Sequence, residues 1–329
     1  MTSELADGLR EVMAAQLGAP DVRVESLTRL SGGASRQTWA FDLATDAGAA
    51  PSKIEPLILQ LERSGGVRTG VGMAGEAALL SLAADAGVPV AEVLATGEAD
   101  SELGGPFIVM RRVEGETIPR KLLRDPEYET ARGLIAAQAG EALARLHGAP
   151  ADGPAAAGLD EVDQVQQFRD LLDLLGEPHP AFELGFRWLD EHRPPASRST
   201  VVHGDFRTGN LMIDETGLTA VLDWELAHRG DPIEDLGWFC VRAWRFGSDL
   251  PAGGFGTIDE LLAGYESVSG VAVDRESLRW WEAMGTLKWG IMCIVQASTH
   301  WSGMSRSVEL AAIGRRACEN EYDLLELIR

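Results

Sequence analysis

The stretch VVHGDFRTGNLMIDETGLTAVLDWELAHRGDPIEDLGW, residues 201–238, decides how the rest of this chain is read. Two valines lead into His203-Gly204-Asp205, and Asn210 lies five positions after Asp205. Two short strand-like runs then flank the turn Glu215-Thr216-Gly217. The second run ends at Asp223, 13 residues after Asn210. A hairpin of that length closes its open ends on each other, so Asn210 and Asp223 are expected side by side, with Asp205 in the loop before them. Two carboxylates and an amide oxygen converging at a strand end suit a hard divalent cation. One carboxylate stays free to act as a base toward a hydroxyl. The plainer reading is that Asp205 and Asp223 cap turns, as aspartate often does. A lone Asp-x4-Asn arises by chance. The His-Gly-Asp, the hairpin spacing, the aspartate after an apolar run and the Gly-Asp-Pro at 230–232 together favour the site.

Upstream, the chain reads as an α+β lobe. A short amphipathic helix (Leu5, Leu9, Val12, Met13, Leu17) precedes a strand-like run from Val22 to Leu30. Ser31-Gly32-Gly33-Ala34-Ser35 then separates two strand-like runs. The apolar run PLILQL (56–61) is followed by a helix from Glu76 to Ala86, and strands over 90–96 and 106–113. Downstream the character is helical: 132–147, 164–175, 181–192, 233–246, 258–268, 275–299 and 307–328. The pattern predicts two lobes, 1–112 and 113–329. The stripe Trp280, Met284, Leu287, Ile291, Val295 is expected to be a core face.

Composition narrows the function classes. The chain has 329 residues and a net charge of −22, which speaks against nucleic-acid binding through a general basic surface. Only Lys53, Lys121 and Lys288 are lysines. Cys240, Cys293 and Cys318 form no CxxC pair and read as buried thiols in a reducing compartment. The acidic N-terminus lacks signal-peptide features, and Glu282 and Lys288 make 280–298 a poor membrane span. A cytoplasmic protein without a membrane anchor is expected, and nothing speaks to its oligomeric state.

HGDFRTGN, VLDWE and GDPIEDLGW resemble the catalytic core of the aminoglycoside phosphotransferase and choline-kinase-like family. The resemblance runs from about Val24 into the C-terminal helices. It implies a two-lobed protein-kinase-like fold that moves the γ-phosphoryl group of ATP or GTP to a hydroxyl of a small molecule with Mg2+. It implies Asp205 as catalytic base, Asn210 and Asp223 as metal ligands, and His203, Asp235 and His147 as supports. Ser31 to Ser35 match the loop that covers the phosphates, where glycines let backbone N–H groups approach. Glu76 matches the helix glutamate, and Met110, Arg111 and Arg112 match the hinge backbone that meets adenine. Glu225 faces either the metal or solvent.

One position departs from the family. Where a lysine or arginine belongs on PLILQL, the chain has Gln60, which hydrogen-bonds but carries no charge. Arg36, Arg63 and Arg68 are the candidates to compensate, Arg36 first. The other outcome is a catalytically weakened nucleotide-binding pseudokinase with a sensing or scaffolding role. The acceptor is left open among aminoglycosides and other antibiotics, choline-like amines, sugars and hydroxyacyl-CoA thioesters; the first and the last stand foremost, the last from resemblance to the acyl-CoA-dehydrogenase-associated branch.

Overall fold

A computed structural model describes residues 2–30, 36–45, 53–62, 70–195 and 198–329. The expected phosphate loop Ser31 to Ser35, and with it Arg63 and Arg68, lies outside the described residues. Helix α1 (Thr2–Leu17) precedes strands β1 (Val22–Arg29), β2 (Arg36–Thr45) and β3 (Lys53–Glu62), helix α2 (Gly72–Asp85), and strands β4 (Val93–Gly97) and β5 (Phe107–Arg111). The five strands form one antiparallel sheet in the order β1-β2-β3-β5-β4. Lys53 is the first residue of β3.

Alternation along β2 and β3 gives the sheet two different faces. Phe41, Leu43, Leu57 and Leu59 point to one side and bury with Leu9 and Met13 of α1. On the other side Ile58 packs against the core cluster that includes Leu79 and Leu80 of α2. Gln60 and, by the Thr38↔Gln60 register, Thr38 and Arg36 belong to this second face. Arg36 therefore sits on the face of Gln60, one strand over. That placement matters for the site.

The remainder is mostly helical. It comprises α3 (Pro119–Arg124), α4 (Glu129–His147), α5 (Gln164–Leu175), α6 (Pro180–Glu191), α7 (Ile233–Cys240), α8 (Ile258–Ser269), α9 (Arg275–Trp301), α10 (Val308–Ile313) and α11 (Ala317–Ile328). Two small ribbons interrupt it: β6 (Thr200–Val202) with β9 (His228–Gly230), and β7 (Leu211–Asp214) with β8 (Gly217–Val221). Trp280, Met284, Leu287 and Ile291 are buried, so the α9 stripe is a core face. No helix of the described residues is long and apolar enough to cross a membrane.

Three sequence expectations need correction. The helix read over 233–246 ends at Cys240, and Arg242–Arg245 form a 3-10 turn that ends with Phe246 in a left-handed conformation. The helix read over 307–328 is α10 and α11 joined by a 3-10 turn at Gly314–Arg316. Cys240 and Cys293 are buried, but Cys318 is exposed.

Arg245, in the turn after α7, reaches Glu282 of α9 at 2.7 Å and the Cys240 carbonyl at 2.7 Å. Burial pushes the Glu282 carboxyl up to about 7, against the pull of Arg245. In the unfolded chain this group loses its proton near 4.5, while the fold keeps it until about pH 7. Glu282 therefore makes stability fall as pH rises between those values. The stability of wild type relative to Glu282→Gln is expected to drop by roughly 3 kcal/mol from pH 4.5 to pH 7.5. Denaturant melts at several pH values measure this, and a pH-independent difference would contradict it.

Candidate active site

The loop from His203 to Asn210 hangs from one buried carboxylate. Asp235, at the start of α7, accepts the backbone N–H of His203 at 2.7 Å and that of Gly204 at 2.9 Å. His147 of α4 reaches the same carboxylate through Nε2 at 3.1 Å, with Nδ1 3.2 Å from the Tyr265 hydroxyl. Burial opposes ionisation of Asp235, but His147, His203 and the backbone donors outweigh it and hold the carboxyl below its ordinary range. His203 bridges onward: Nε2 lies 3.0 Å from the Leu222 carbonyl, and Nδ1 accepts the Asp205 N–H at 3.2 Å. Gly204 takes φ +76°, and a Cβ there would lie 2.3 Å from the Leu226 carbonyl oxygen. Only glycine fits that corner.

Asp205 emerges at the end of this scaffold, part-buried and fully engaged. Its carboxylate accepts Arg207 Nε at 3.1 and 3.2 Å, Trp238 Nε1 at 3.0 Å and Asn210 Nδ2 at 2.7 Å. The Asn210 amide also donates to the Asp205 carbonyl at 3.0 Å. Both amide hydrogens of Asn210 face Asp205, which leaves Oδ1 as a free acceptor. The Leu222 N–H bonds the Asn210 carbonyl at 2.8 Å, so the closed hairpin sets Asp223 next to Asn210. Asp223 itself is exposed and takes φ +63°.

Arg36 reaches into this site from the sheet. Its guanidinium lies 2.5 Å from Glu76 of α2 and 3.3 Å from Glu225, and it donates to Gln60 Oε1 at 3.4 Å. Gln60 thus anchors a cation supplied by the neighbouring strand. Burial pushes Glu76 up to about 7, with Arg36 pulling down and the Asp223 and Glu225 charges pushing further up. Burial, Asp223 and Asp205 likewise raise Glu225, with Arg36 opposing. Four carboxylates (Glu76, Asp205, Asp223, Glu225) therefore share one region with Arg36.

The excess negative charge is what a bound cation relieves. Among the described residues no three His, Cys, Asp or Glu side chains converge as a closed metal cage. An open pair, Asn210 Oδ1 with the Asp223 carboxylate, instead matches Mg2+, which keeps several waters and takes its other ligands from phosphates. The donor set fits that ion.

At the hinge, the Met110 side chain is buried. The Arg111 N–H bonds the Glu92 carbonyl at 2.9 Å and the Arg112 N–H bonds the Pro56 carbonyl at 3.0 Å. Both amides are thus taken up by the sheet, while the Arg111 and Arg112 side chains pair with Glu92 and Glu114. Sequence reasoning also missed three supports of the loop. Trp238 and Arg207 donate to Asp205, and the buried Lys288 of α9 donates to the Gly204 carbonyl at 3.2 Å. Arg207 and Trp238 sit inside the quoted motif; Lys288 lies 84 residues from its partner and leaves no local signal.

Trp238→Phe keeps the ring and removes one donor to a carboxylate. We expect a turnover about tenfold lower, since a hydrogen bond to a charged group contributes roughly 1.5–3 kcal/mol, with nucleotide binding unchanged. Steady-state kinetics measures it, and unchanged kcat would show that Arg207 and Asn210 suffice.

A small antiparallel lobe above a helical lobe, with Asp, Asn and Asp at a hairpin mouth and an Arg–Glu pair opposite, defines a kinase-like phosphotransferase. The family model described as "Phosphotransferase enzyme family" matches residues 26–281. The chain belongs to that family. A mouse protein, acyl-CoA dehydrogenase family member 10, is 29% identical over 74% of this chain. This chain spans 23% of that protein and 32% of the chicken acyl-CoA dehydrogenase family member 11. An aminoglycoside phosphotransferase-like structure from Ralstonia eutropha JMP134 superposes with a TM-score of 0.76 at 22% identity, covering 98% of this chain and 97% of its own. The aminoglycoside phosphotransferase APH(4)-Ia, solved with AMP-PNP and hygromycin B, gives a TM-score of 0.61 at 17% identity, covering 98% and 99%. These structural likenesses establish the protein-kinase-like fold.

Proposed function

We propose that this protein transfers the γ-phosphoryl group of ATP or GTP to a hydroxyl of a small molecule with Mg2+. The observation that carries the reading is the convergence of Asp205, Asn210 and Asp223 at the mouth of the β7–β8 hairpin, facing Arg36 and Glu76. Asp205 orients the acceptor hydroxyl and takes its proton. Its carboxylate plane is held by Trp238, Arg207 and Asn210, so little reorganisation is needed when a hydroxyl arrives. Asn210 Oδ1 and Asp223 would hold the Mg2+ ion, which neutralises charge on the transferring phosphates when bound. Arg36 would grip phosphate oxygens with a bidentate fork while paired to Glu76. The Ser31 to Ser35 loop would cover the phosphates. With the Arg111 and Arg112 amides engaged in the sheet, the adenine contact is assigned to the backbone just beyond Arg112.

For the acceptor, two chemistries have support. Hygromycin B occupies a relative of the same fold, and acyl-CoA dehydrogenase family proteins share sequence over most of this chain. An aminoglycoside-like compound and a hydroxyacyl-CoA-type molecule are therefore the first acceptors to screen. The pseudokinase alternative rests on Gln60, and the Arg36–Glu76 pair weighs against it. Nucleotide binding with no consumption in any acceptor screen would favour it.

The deciding experiment is a thermal-shift titration with ATP or GTP, with and without Mg2+, on wild type and Asp223→Ala. A ligand of the folded state raises the melting temperature. We expect a Mg2+-dependent shift in wild type that disappears in Asp223→Ala. A shift unaltered by the substitution would overturn the metal assignment.

A further inference from the structure

A cavity of about 350 Å³ lies at the end of β6 away from Asp205, between the start of α5, the residues after α6, β9 and α9. Its wall carries four buried polar atoms with no hydrogen-bond partner among the described residues: Arg229 Nε, Ser199 Oγ and Trp281 Nε1, which can donate, and Glu234 Oε1, whose charge faces Lys288 at 3.7 Å. The indole and guanidinium groups only donate, and the hydroxyl donates as readily as it accepts. Buried donors of this kind are normally paired, so three of them on one cavity call for a ligand with acceptor atoms.

The charges around the cavity point to what that ligand is. Asp163 is engaged by Arg193 at 3.0 Å and by the Val165 N–H at 3.0 Å. Asp231 accepts the Ile233 N–H at 2.9 Å. Glu234 is held by His228 at 3.1 Å and lies 3.7 Å from Lys288. Glu161, the remaining carboxylate of the wall, is exposed. Arg198 of the wall is hydrogen-bonded to Tyr265, whereas Arg229 forms no ion pair among the described residues, which leaves its guanidinium to a ligand.

We propose that this cavity binds a small oxyanion, a phosphate or carboxylate group whose oxygens accept from Arg229, Ser199 and Trp281. The site is separate from the nucleotide cleft yet adjoins its support. Glu234 belongs to the cavity wall, and its neighbour Lys288 donates to the Gly204 carbonyl of the catalytic loop.

Calorimetric titration of the whole chain tests this, with inorganic phosphate and acetate in separate arms at constant ionic strength. The arms separate a phosphate from a carboxylate ligand. We expect one of the two to bind at a single site, with Arg229→Gln abolishing binding. Trp281→Phe should weaken binding about fivefold, the equivalent of one hydrogen bond. Trp281→Phe retains the ring and should melt as wild type, so it carries the test if Arg229→Gln fails to fold. Arg36→Gln, in the nucleotide cleft, should leave this binding unchanged. Absence of binding by both probes would overturn the proposal. So would unchanged binding in a normally melting Trp281→Phe, or binding that Arg36→Gln removes and Arg229→Gln spares.

Discussion

Asp205→Ala is expected to lower phosphoryl transfer by about 10²–10⁴-fold, the range of a positioned general base, while nucleotide binding stays near the wild-type value. The split follows from the geometry. Asp205 contacts Trp238, Arg207 and Asn210, whereas Arg36 pairs with Glu76 and Glu225. Alanine is the cleaner substitution. Asparagine could set a second amide NH2 against that of Asn210, which already points at this carboxylate. Transfer is followed as nucleotide consumed in the presence of an acceptor, and binding as the Mg2+-dependent melting shift. If binding and transfer fell together, Asp205 would be holding nucleotide or metal and not the acceptor hydroxyl.

The second large effect is expected at Arg36. Arg36→Ala strips the buried Glu76 and the half-buried Glu225 of their cation. Removing one partner of a buried pair costs roughly 3–5 kcal/mol. The loss at Glu76 is moderated when that group, already pushed to about 7, takes up a proton. The destabilisation should therefore be larger at pH 8 than at pH 6. Nucleotide-induced stabilisation should also vanish. Adding Gln60→Lys to Arg36→Ala places an ammonium on the same sheet face and should restore part of both losses. A stable Arg36→Ala protein with normal nucleotide affinity would remove Arg36 from the site.

How legible this was depended on distance along the chain. Residues 201–238 are contiguous, and the hairpin between Asn210 and Asp223 follows from turn chemistry and strand length alone. The kinase-like class followed from that segment. Arg36 was harder: its equivalence to a cation at position 60 depends on the Thr38↔Gln60 register, and sequence ranked it first without showing its partners. Lys288, acting on a carbonyl 84 residues away, was invisible. So was β9, a three-residue strand whose only cue is its pairing with β6. The helix break after Cys240 was missed because Arg242–Arg245 keep helical composition, while Arg245 is recruited by Glu282 and the Cys240 carbonyl.

Asp223 carries a consequence for any attempt to improve this protein. A side chain at φ +63° sits where L-residues are disfavoured by roughly 1–2 kcal/mol, and glycine would be at ease there. A library sorted only by melting temperature should therefore enrich Asp223→Gly, a protein sturdier than its parent and without the carboxylate assigned to the metal. Robustness and turnover pull apart at this one residue, so screening here has to begin with catalysis and rank heat resistance second.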